Sequence, residues 1–404
     1  MQILVFNGGS SSLIYEIFDV KGPDKFNIIL RGKAHRVGVK GTKESYIENN
    51  FQGKTEKTVI HIPDHKAAVV LASYYIRKYN IKIDCIGNRF VHGGTYFKKS
   101  ALINKDSLKK LEACLSLAPL HNPISLSIIK EAGKLFPSVP QYVVFDSAFH
   151  AHIPLRAYLY SLPKAIRDKY QFRKYGFHGI SYTYISKKIP EFLRSDPKKF
   201  KMIACHLGTG GASVAAIKNG LSIDTSMGFS PLSGLIMSTR SGDIDPMLIL
   251  YLMKESGYSA ENLIELLNKK SGLLGISGFS SDITDIMERI SNKKFQKRAI
   301  LALNMYLYRL KKYIGSYILA LGGKIDALVF TDDVGVNNPF VREAACKDMA
   351  WAGIAIDKEK NKRASSLGIS LINSFSSKVK VVSVPTQEEY IICLEGMRIL
   401  EEKE

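Results

Sequence analysis

One device occurs twice in this chain. Ile3-Leu-Val-Phe-Asn-Gly-Gly-Ser-Ser-Ser12 runs from an apolar strand into a Gly/Ser loop and out into a second strand, Leu13 to Phe18. Met202-Ile-Ala-Cys-His-Leu-Gly-Thr-Gly-Gly211 does the same and feeds Ala212 to Ile217. Asn219-Gly220 then reads as a two-residue hairpin turn into Leu221 to Asp224. A repeated strand–loop–strand unit suggests two related α/β domains, each opening with that unit. Its 404 residues, 46% of them hydrophobic, suffice for two cores.

The rest alternates between helix and strand signals. Asn122-Pro123 reads as an N-cap and first helical turn, with Ile124, Ile128, Ile129 and Ala132 as the apolar stripe. Tyr142 to Phe145 and Asp326 to Phe330 read as strands. Lys297 to Leu321 reads as a long helix stopped by Gly322-Gly323, and Glu388 to Glu401 as a closing helix. The domain change is placed near His150.

Composition removes several classes. No apolar run approaches the roughly 18–20 residues that cross a bilayer, so no membrane partner is expected. No basic stretch precedes the first strand, so no signal peptide is expected. Cys85, Cys114, Cys205, Cys346 and Cys393 lie far apart, which argues against disulfides or a zinc site and for a reduced, cytoplasmic setting. The net charge of +20 allows an anionic partner. The lysines are scattered and no nucleic-acid motif interleaves them with aromatics, which favours a solvated basic surface over nucleic-acid binding.

Gly/Ser loops present backbone N–H groups and hydroxyls to a phosphate. Neither loop is a P-loop, because the Gly-Lys-Ser/Thr ending is missing and a strand follows instead of a helix. Two equivalent loops suggest two domains clamping one polyphosphate.

Further strings join these loops: Val91-His-Gly-Gly94, Ala118-Pro-Leu-His-Asn-Pro123, Phe145-Asp-Ser-Ala-Phe-His150, Tyr175-Gly-Phe-His-Gly179, Asp224-Thr-Ser-Met-Gly228, Thr239-Arg-Ser-Gly-Asp-Ile-Asp-Pro246 and Pro385-Thr-Gln-Glu-Glu389. In order and spacing they resemble the acetate kinase family over nearly the whole chain. The resemblance implies the duplicated two-domain fold of actin, Hsp70 and sugar kinases (ribonuclease H-like), with an active-site cleft between domains. It implies residues 1–149 plus 385–404 as the acetate and acetyl phosphate domain. Residues 150–384 would form the phosphate-donor domain, which also dimerises, since family members are usually homodimers.

Acetate is ionised at neutral pH and needs no general base, so the chemistry is positioning and charge stabilisation. By resemblance, Arg89 and Arg240 bind the carboxylate and the transferring phosphoryl. His178 stabilises its charge, His121 sits nearby, and Asp146 orients an Arg or the metal shell. Asn7 and Glu388 would hold Mg²⁺, with Mn²⁺ the second candidate, directly or through water. Val91, Leu120, Phe177 and Pro231 would surround the acetate methyl. Ser10, Ser12, His206, Gly208, Thr209, Gly210, Gly211, Asp282, Asp332, Asp333 and Gly335 would line the phosphate and nucleotide side. His61, His65 and His152 read as ordinary histidines, and the cysteines as small buried hydrophobes.

The departures from the family cluster on the nucleotide side. Thr209 stands for the usual Asn, with one Gly more in the loop. Ile14 stands for Lys and Thr284 for Arg. Asp332-Asp-Val-Gly-Val-Asn337 replaces Ala-Gly-Ile-Gly-Glu-Asn. Two new carboxylates would fill nucleoside space and repel an α-phosphate. With the carboxylate side intact, this pattern resembles the pyrophosphate-dependent acetate kinases, as do Arg36 to Thr42 and Phe97 to Ala101. The favoured pair is orthophosphate and pyrophosphate, with ADP and ATP as the alternative. A non-catalytic actin-like binding protein is the alternative of another class. A polyol kinase of the same broad fold would need an Asp base instead of paired arginines.

Overall fold

A computed structural model describes residues 1–22, 25–39, 41 and 44–402. Lys40 and Thr42, within the 36–42 stretch noted above, lie outside the described residues. The chain divides into two compact units, Met1–Phe149 with Gln387–Glu404, and His150–Thr386.

The first unit is built on eight strands: β1 (Gln2–Gly8), β2 (Ser12–Gly22), β3 (Lys25–His35), β4 (Tyr46–Phe51), β5 (Lys54–Val59), β6 (Cys85–Phe90), β7 (Ala101–Leu102) and β8 (Gln141–Phe145). Their order is β5-β4-β3-β2-β1-β6-β8-β7. β1 is buried continuously from Ile3 to Gly8, as a strand covered on both faces must be. β2 alternates buried and half-buried positions along most of its length. Helix α1 (His65–Lys78) and helix α2 (Asn122–Leu135) pack against each other. Ala68, Val69, Ala72 and Ile76 of α1 and Ile128 and Ala132 of α2 share one core with β1 and β2.

The start of α2 differs from the sequence reading. His121 occupies the cap position, and Asn122 lies inside the first turn. The Asn122 carboxamide is fully buried and serves two loops instead. Its Oδ1 accepts from the His92 backbone N–H at 3.1 Å, and its Nδ2 donates to the carbonyls of His92 (3.1 Å) and Cys114 (2.7 Å). Satisfying buried loop groups outweighs capping at the protein surface.

The second unit repeats the plan with β9 (Lys201–Leu207), β10 (Ala212–Lys218), β11 (Leu221–Thr225), β12 (Ala327–Thr331), β13 (Ser370–Leu371) and β14 (Lys380–Ser383), in the order β11-β10-β9-β12-β14-β13. In both units three antiparallel strands in meander order are followed by two parallel strands and an antiparallel edge strand. Unit 1 adds the β4–β5 hairpin beyond the meander. Helix α3 (Gly179–Phe192), helix α4 (Pro246–Ser256), the long helix α5 (Gln296–Ala320) and the short helix α6 (Asp332–Asn337) belong to this unit. α5 buries Ala299, Ala302, Leu303, Tyr306, Leu310 and Ile314, an i, i+3, i+4 stripe. Gly322 (φ 87°) and Gly323 (φ 80°) end it in left-handed backbone.

The chain closes with α7 (Glu388–Glu401), which packs on β1 and β6 of the first unit. Tyr142 fixes it there, donating its hydroxyl to the Ile392 carbonyl at 2.7 Å. A Cβ at Gly87 or at Gly396 would lie 2.4 Å from that same phenolic oxygen, so glycine at both positions admits the ring. Among the described residues no helix is long and apolar enough to cross a membrane. All five cysteines are free and buried.

Candidate active site

Parallel strands with one polarity bring their carboxyl ends to one edge of a sheet, where α/β proteins collect ligand-binding groups. In unit 1, β1, β6 and β8 run parallel in that way. Asn7 stands near the end of β1, Arg89 near the end of β6, and Asp146 directly follows β8. Arg89 is the hub. Its Nε and Nη2 bond Asp146 as a fork, the Nη2–Oδ2 distance being 2.7 Å, and Nη1 donates to Asn7 Oδ1 at 3.0 Å. Asp146 is 1% exposed, so the fork satisfies a buried carboxylate. Burial alone would lower the Arg89 guanidinium, but Asp146, Glu388 and Glu389 together hold it well above its ordinary value.

Asn7 carries the network to the first turn of α7. Its Nδ2 donates to Glu388 Oε2 at 3.0 Å and to Glu389 Oε1 at 2.9 Å. The Asn7 carbonyl oxygen, the atom that would ligate a metal directly, is engaged by Arg89. Asn7 thus links Arg89 to Glu388 and Glu389 through its carboxamide. Among the described residues no cluster of three His, Cys, Asp or Glu is arranged to hold a metal. Sequence reasoning passed over Glu389, although it ends the Pro385–Glu389 string. Burial and the Glu389 charge push the Glu16 carboxyl up to about 7, against the pull of Arg31.

The two glycine loops have one geometry. In the first, Gly8 pairs with Leu13 and Gly9 N–H donates to Ser12 C=O at 2.9 Å. In the second, Leu207 pairs with Ala212 and Gly208 N–H donates to Gly211 C=O at 3.0 Å. Each is a four-residue hairpin loop. Ser10 is exposed and Ser12 half-buried. His65, read as an ordinary histidine, braces the first loop: its Nε2 lies 2.9 Å from the Gly9 carbonyl.

In unit 2 the groups gather around the second loop. A Cβ at Gly211 would sit 3.2 Å from Arg240 Nη1 and 3.4 Å from His178 Nε2, so the loop end, the guanidinium and the imidazole are neighbours. His178 holds a left-handed backbone (φ 59°) at the start of α3, a conformation uncommon outside glycine. Its Nδ1 lies 2.8 Å from Ser213 Oγ, itself 2.6 Å from the Tyr182 hydroxyl, and its ring stacks on His206 at 4.1 Å. Asp332 reaches His206 Nε2 at 2.9 Å. Arg240 is half-buried, donating to the Pro231 carbonyl at 3.4 Å; no ion pair to it occurs among the described residues. Burial pulls its guanidinium below the ordinary value.

Val91 and Phe177 are buried, Pro231 is half-buried and Leu120 is 42% exposed. Asp282 caps the short helix Ile283–Glu288, accepting from Thr284 N–H at 2.7 Å. Gly335 lies inside α6, its carbonyl held by Arg342.

His150 anchors the segment before His178. Its Nε2 lies 3.0 Å from the Phe177 carbonyl and its Nδ1 2.7 Å from Ser222 Oγ. Burial lowers the imidazole to about 4. Protonation is then easier in the unfolded chain, so the stability this group contributes is full near neutrality and is lost as pH falls from about 6.5 towards 4. We expect about 2 kcal/mol to be lost between pH 7 and pH 5 from this group. Urea unfolding of wild type and His150→Gln at both pH values checks it; an equal pH dependence in the two proteins would contradict it.

Two sheets of one topology, each turning through the same four-residue glycine loop, place the chain in the actin-like class of two-domain α/β phosphotransferases. It belongs to the acetokinase family, whose model matches residues 2–394. It is 46% identical over 408 residues to an acetate kinase of Thermoanaerobacterium thermosaccharolyticum, covering 99% of each chain. The fold is similar to the crystal structure of acetate kinase from Entamoeba histolytica (TM-score 0.88, 40% identity, 99% of this chain and 100% of the other). It is also similar to a propionate kinase from Francisella tularensis (TM-score 0.88, 36% identity, 98% of both).

Proposed function

We propose that the chain moves a phosphoryl group reversibly between acetyl phosphate and an inorganic acceptor, giving acetate, with orthophosphate and pyrophosphate as the acceptor and donor pair. The observation that carries the reading is Arg240, a half-buried cation with no ion pair among the described residues, set beside His178 at the glycine loop. A cation so placed is incomplete without an anionic ligand.

An oxygen of orthophosphate attacks the phosphorus of acetyl phosphate, the bond from phosphorus to the acyl oxygen breaks, and acetate leaves with that oxygen as its carboxylate. No step requires a general base, because attacking and leaving groups are both ionised near neutrality. Arg240 and His178 meet the charge that develops on the transferring group. Arg89 engages the carboxylate and phosphoryl oxygens, held in place by Asp146. Glu388, positioned by Asn7, is the residue that would hold Mg²⁺ or Mn²⁺, which screens phosphate charge. Asp332 and Asp333 support the inorganic pair, since they add negative charge where a nucleotide would extend.

Val91, Leu120, Phe177 and Pro231 are assigned to the methyl of the acid. One added methylene changes discrimination by only about 1 kcal/mol. We expect a kcat/KM for propionyl phosphate about fivefold below that for acetyl phosphate; a preference for propionyl or butyryl phosphate would reject the pocket. Orthophosphate is expected to support turnover of acetyl phosphate, and saturable ATP formation from ADP would reject the inorganic pair.

The working species is proposed to be a cytoplasmic homodimer. α4 buries no residue, and Met247, Leu248, Leu250 and Tyr251 are each more than half exposed. An apolar helix of this kind on a soluble enzyme needs cover, and a second copy supplies a self-complementary apolar face. Light scattering should give twice the chain mass for wild type and the single mass for Leu248→Glu/Tyr251→Glu; a monomeric wild type would contradict the assignment.

A further inference from the structure

The second glycine loop already holds an anion. Thr209 N–H donates to Asp333 Oδ1 at 2.9 Å and the Thr209 hydroxyl to Asp333 Oδ2 at 2.7 Å. Both donors are of the kind a phosphate-binding loop offers to its ligand. The carboxylate reaches them from α6, 124 positions further along the chain, while also accepting from Val334 N–H at 2.7 Å.

The rest of the surroundings fix that carboxylate in place. Asp332, at φ 65°, turns the chain so that its own carboxylate points to His206 and lies 2.1 Å from where a Gly208 Cβ would be. Glycine at 208 is what lets Asp332 approach the loop. Behind α6, the Arg342 side chain is 1% exposed and donates from Nη1 to the carbonyls of Gly335 and Val336 and from Nε and Nη2 to Asn361. The helix that carries both aspartates is thereby pinned at its other end.

The two ends of the loop differ in consequence. At Thr209 the donors are taken and the local charge is negative. At Gly211 the loop borders Arg240 and His178, and the local charge is positive. We propose that Asp333 is an internal stand-in for a phosphate, closing the Thr209 end and setting the length of the phosphoryl partner. A short anion seated at the Gly211 end is accepted. A longer one would have to displace the carboxylate from Thr209 and lie beside it, which like charges oppose. The substrate class is therefore short inorganic phosphate, selected by length before any base is read. This rests on the loop's being the phosphate cradle of the proposed function.

Binding to the full-length protein tests it. Orthophosphate, pyrophosphate, tripolyphosphate and ADP are titrated by calorimetry into wild type, Asp333→Ala and Asp333→Asn. Asn keeps the shape and drops the charge, so it decides the matter if the alanine variant does not fold. The expected gain rises with anion length: within about twofold for orthophosphate and at least about tenfold for tripolyphosphate and ADP. No gain in the folded variants, or one equal gain across the series, would overturn the proposal. Tripolyphosphate carries no nucleoside, so this outcome is separate from whether wild type turns over orthophosphate or ADP.

Discussion

Arg240→Ala is expected to lower kcat/KM for acetyl phosphate by about 10³-fold or more while leaving the fold nearly as stable as before. The two halves of that result have one cause. Among the described residues the guanidinium makes one hydrogen bond, to the Pro231 carbonyl at 3.4 Å, and no ion pair. Removing it breaks little that folding depends on, and relieves a half-buried charge. Removing it also takes a preorganised cation from beside His178 Nε2, where charge on a transferring phosphoryl group would need it, and losses of that kind run to about 10²–10³ or more per group. Arg240→Lys is expected to recover little of the rate, since an ammonium lacks the planar fork that meets two phosphoryl oxygens. Steady-state kinetics beside thermal unfolding measure both halves. Activity within tenfold of wild type would remove Arg240 from the chemistry, and a large loss of stability would mean that its role is structural.

Arg89→Ala should fail in both measurements. Asp146 is 1% exposed and receives its fork from Arg89. Taking one partner from a buried pair leaves an uncompensated charge, which costs about 3–5 kcal/mol. Asn7 also loses the donor that sets its carboxamide, and with it the placement of Glu388 and Glu389 slackens. Activity should fall at least as far as in Arg240→Ala. The double variant Arg89→Ala/Asp146→Ala should be more stable than Arg89→Ala alone, because the stranded carboxylate has gone. Urea unfolding of the two single variants and the double gives the coupling directly. An Arg89→Ala protein as stable as wild type would show that the fork carries no stability.

The contrast between the arginines was invisible in the sequence, where both read as anion-binding groups. Strand positions at the ends of β6 and β8 bring Asp146 to Arg89, whereas nothing acidic on the described chain reaches Arg240. What the sequence carried well was the repeated device. An apolar strand, a four-residue loop and a returning strand are local features, and the antiparallel pairs β1–β2 and β9–β10 follow from them. Helix ends were legible for the same reason: Gly322-Gly323 and Glu388 mark their elements without help from the rest of the molecule. The misplaced cap at Asn122 shows the limit, because its carboxamide answers to the loops at His92 and Cys114.

Long-range polar contacts were the least legible part of the site. Glu389 sits beside a residue already singled out, yet only the first turn of α7 against β1 brings it to Asn7. His65 bonds the Gly9 carbonyl from 56 positions away. Asp332 and Asp333 were readable as added charge, and charge alone gives no target. The φ of Asp332, the missing side chain of Gly208, whose place the Asp332 carboxylate takes, and the buried Arg342 behind α6 direct that charge to His206 and Thr209.

The account turns on an inorganic phosphoryl partner at the cationic end of the second loop. A single tube holding enzyme, Mg²⁺, acetyl phosphate and equal concentrations of orthophosphate and ADP, followed by ³¹P NMR, asks the question most directly. The acetyl phosphate resonance should decline as the pyrophosphate resonance grows, with no β-phosphate signal of ATP. Growth of the ATP signals with pyrophosphate absent would contradict it.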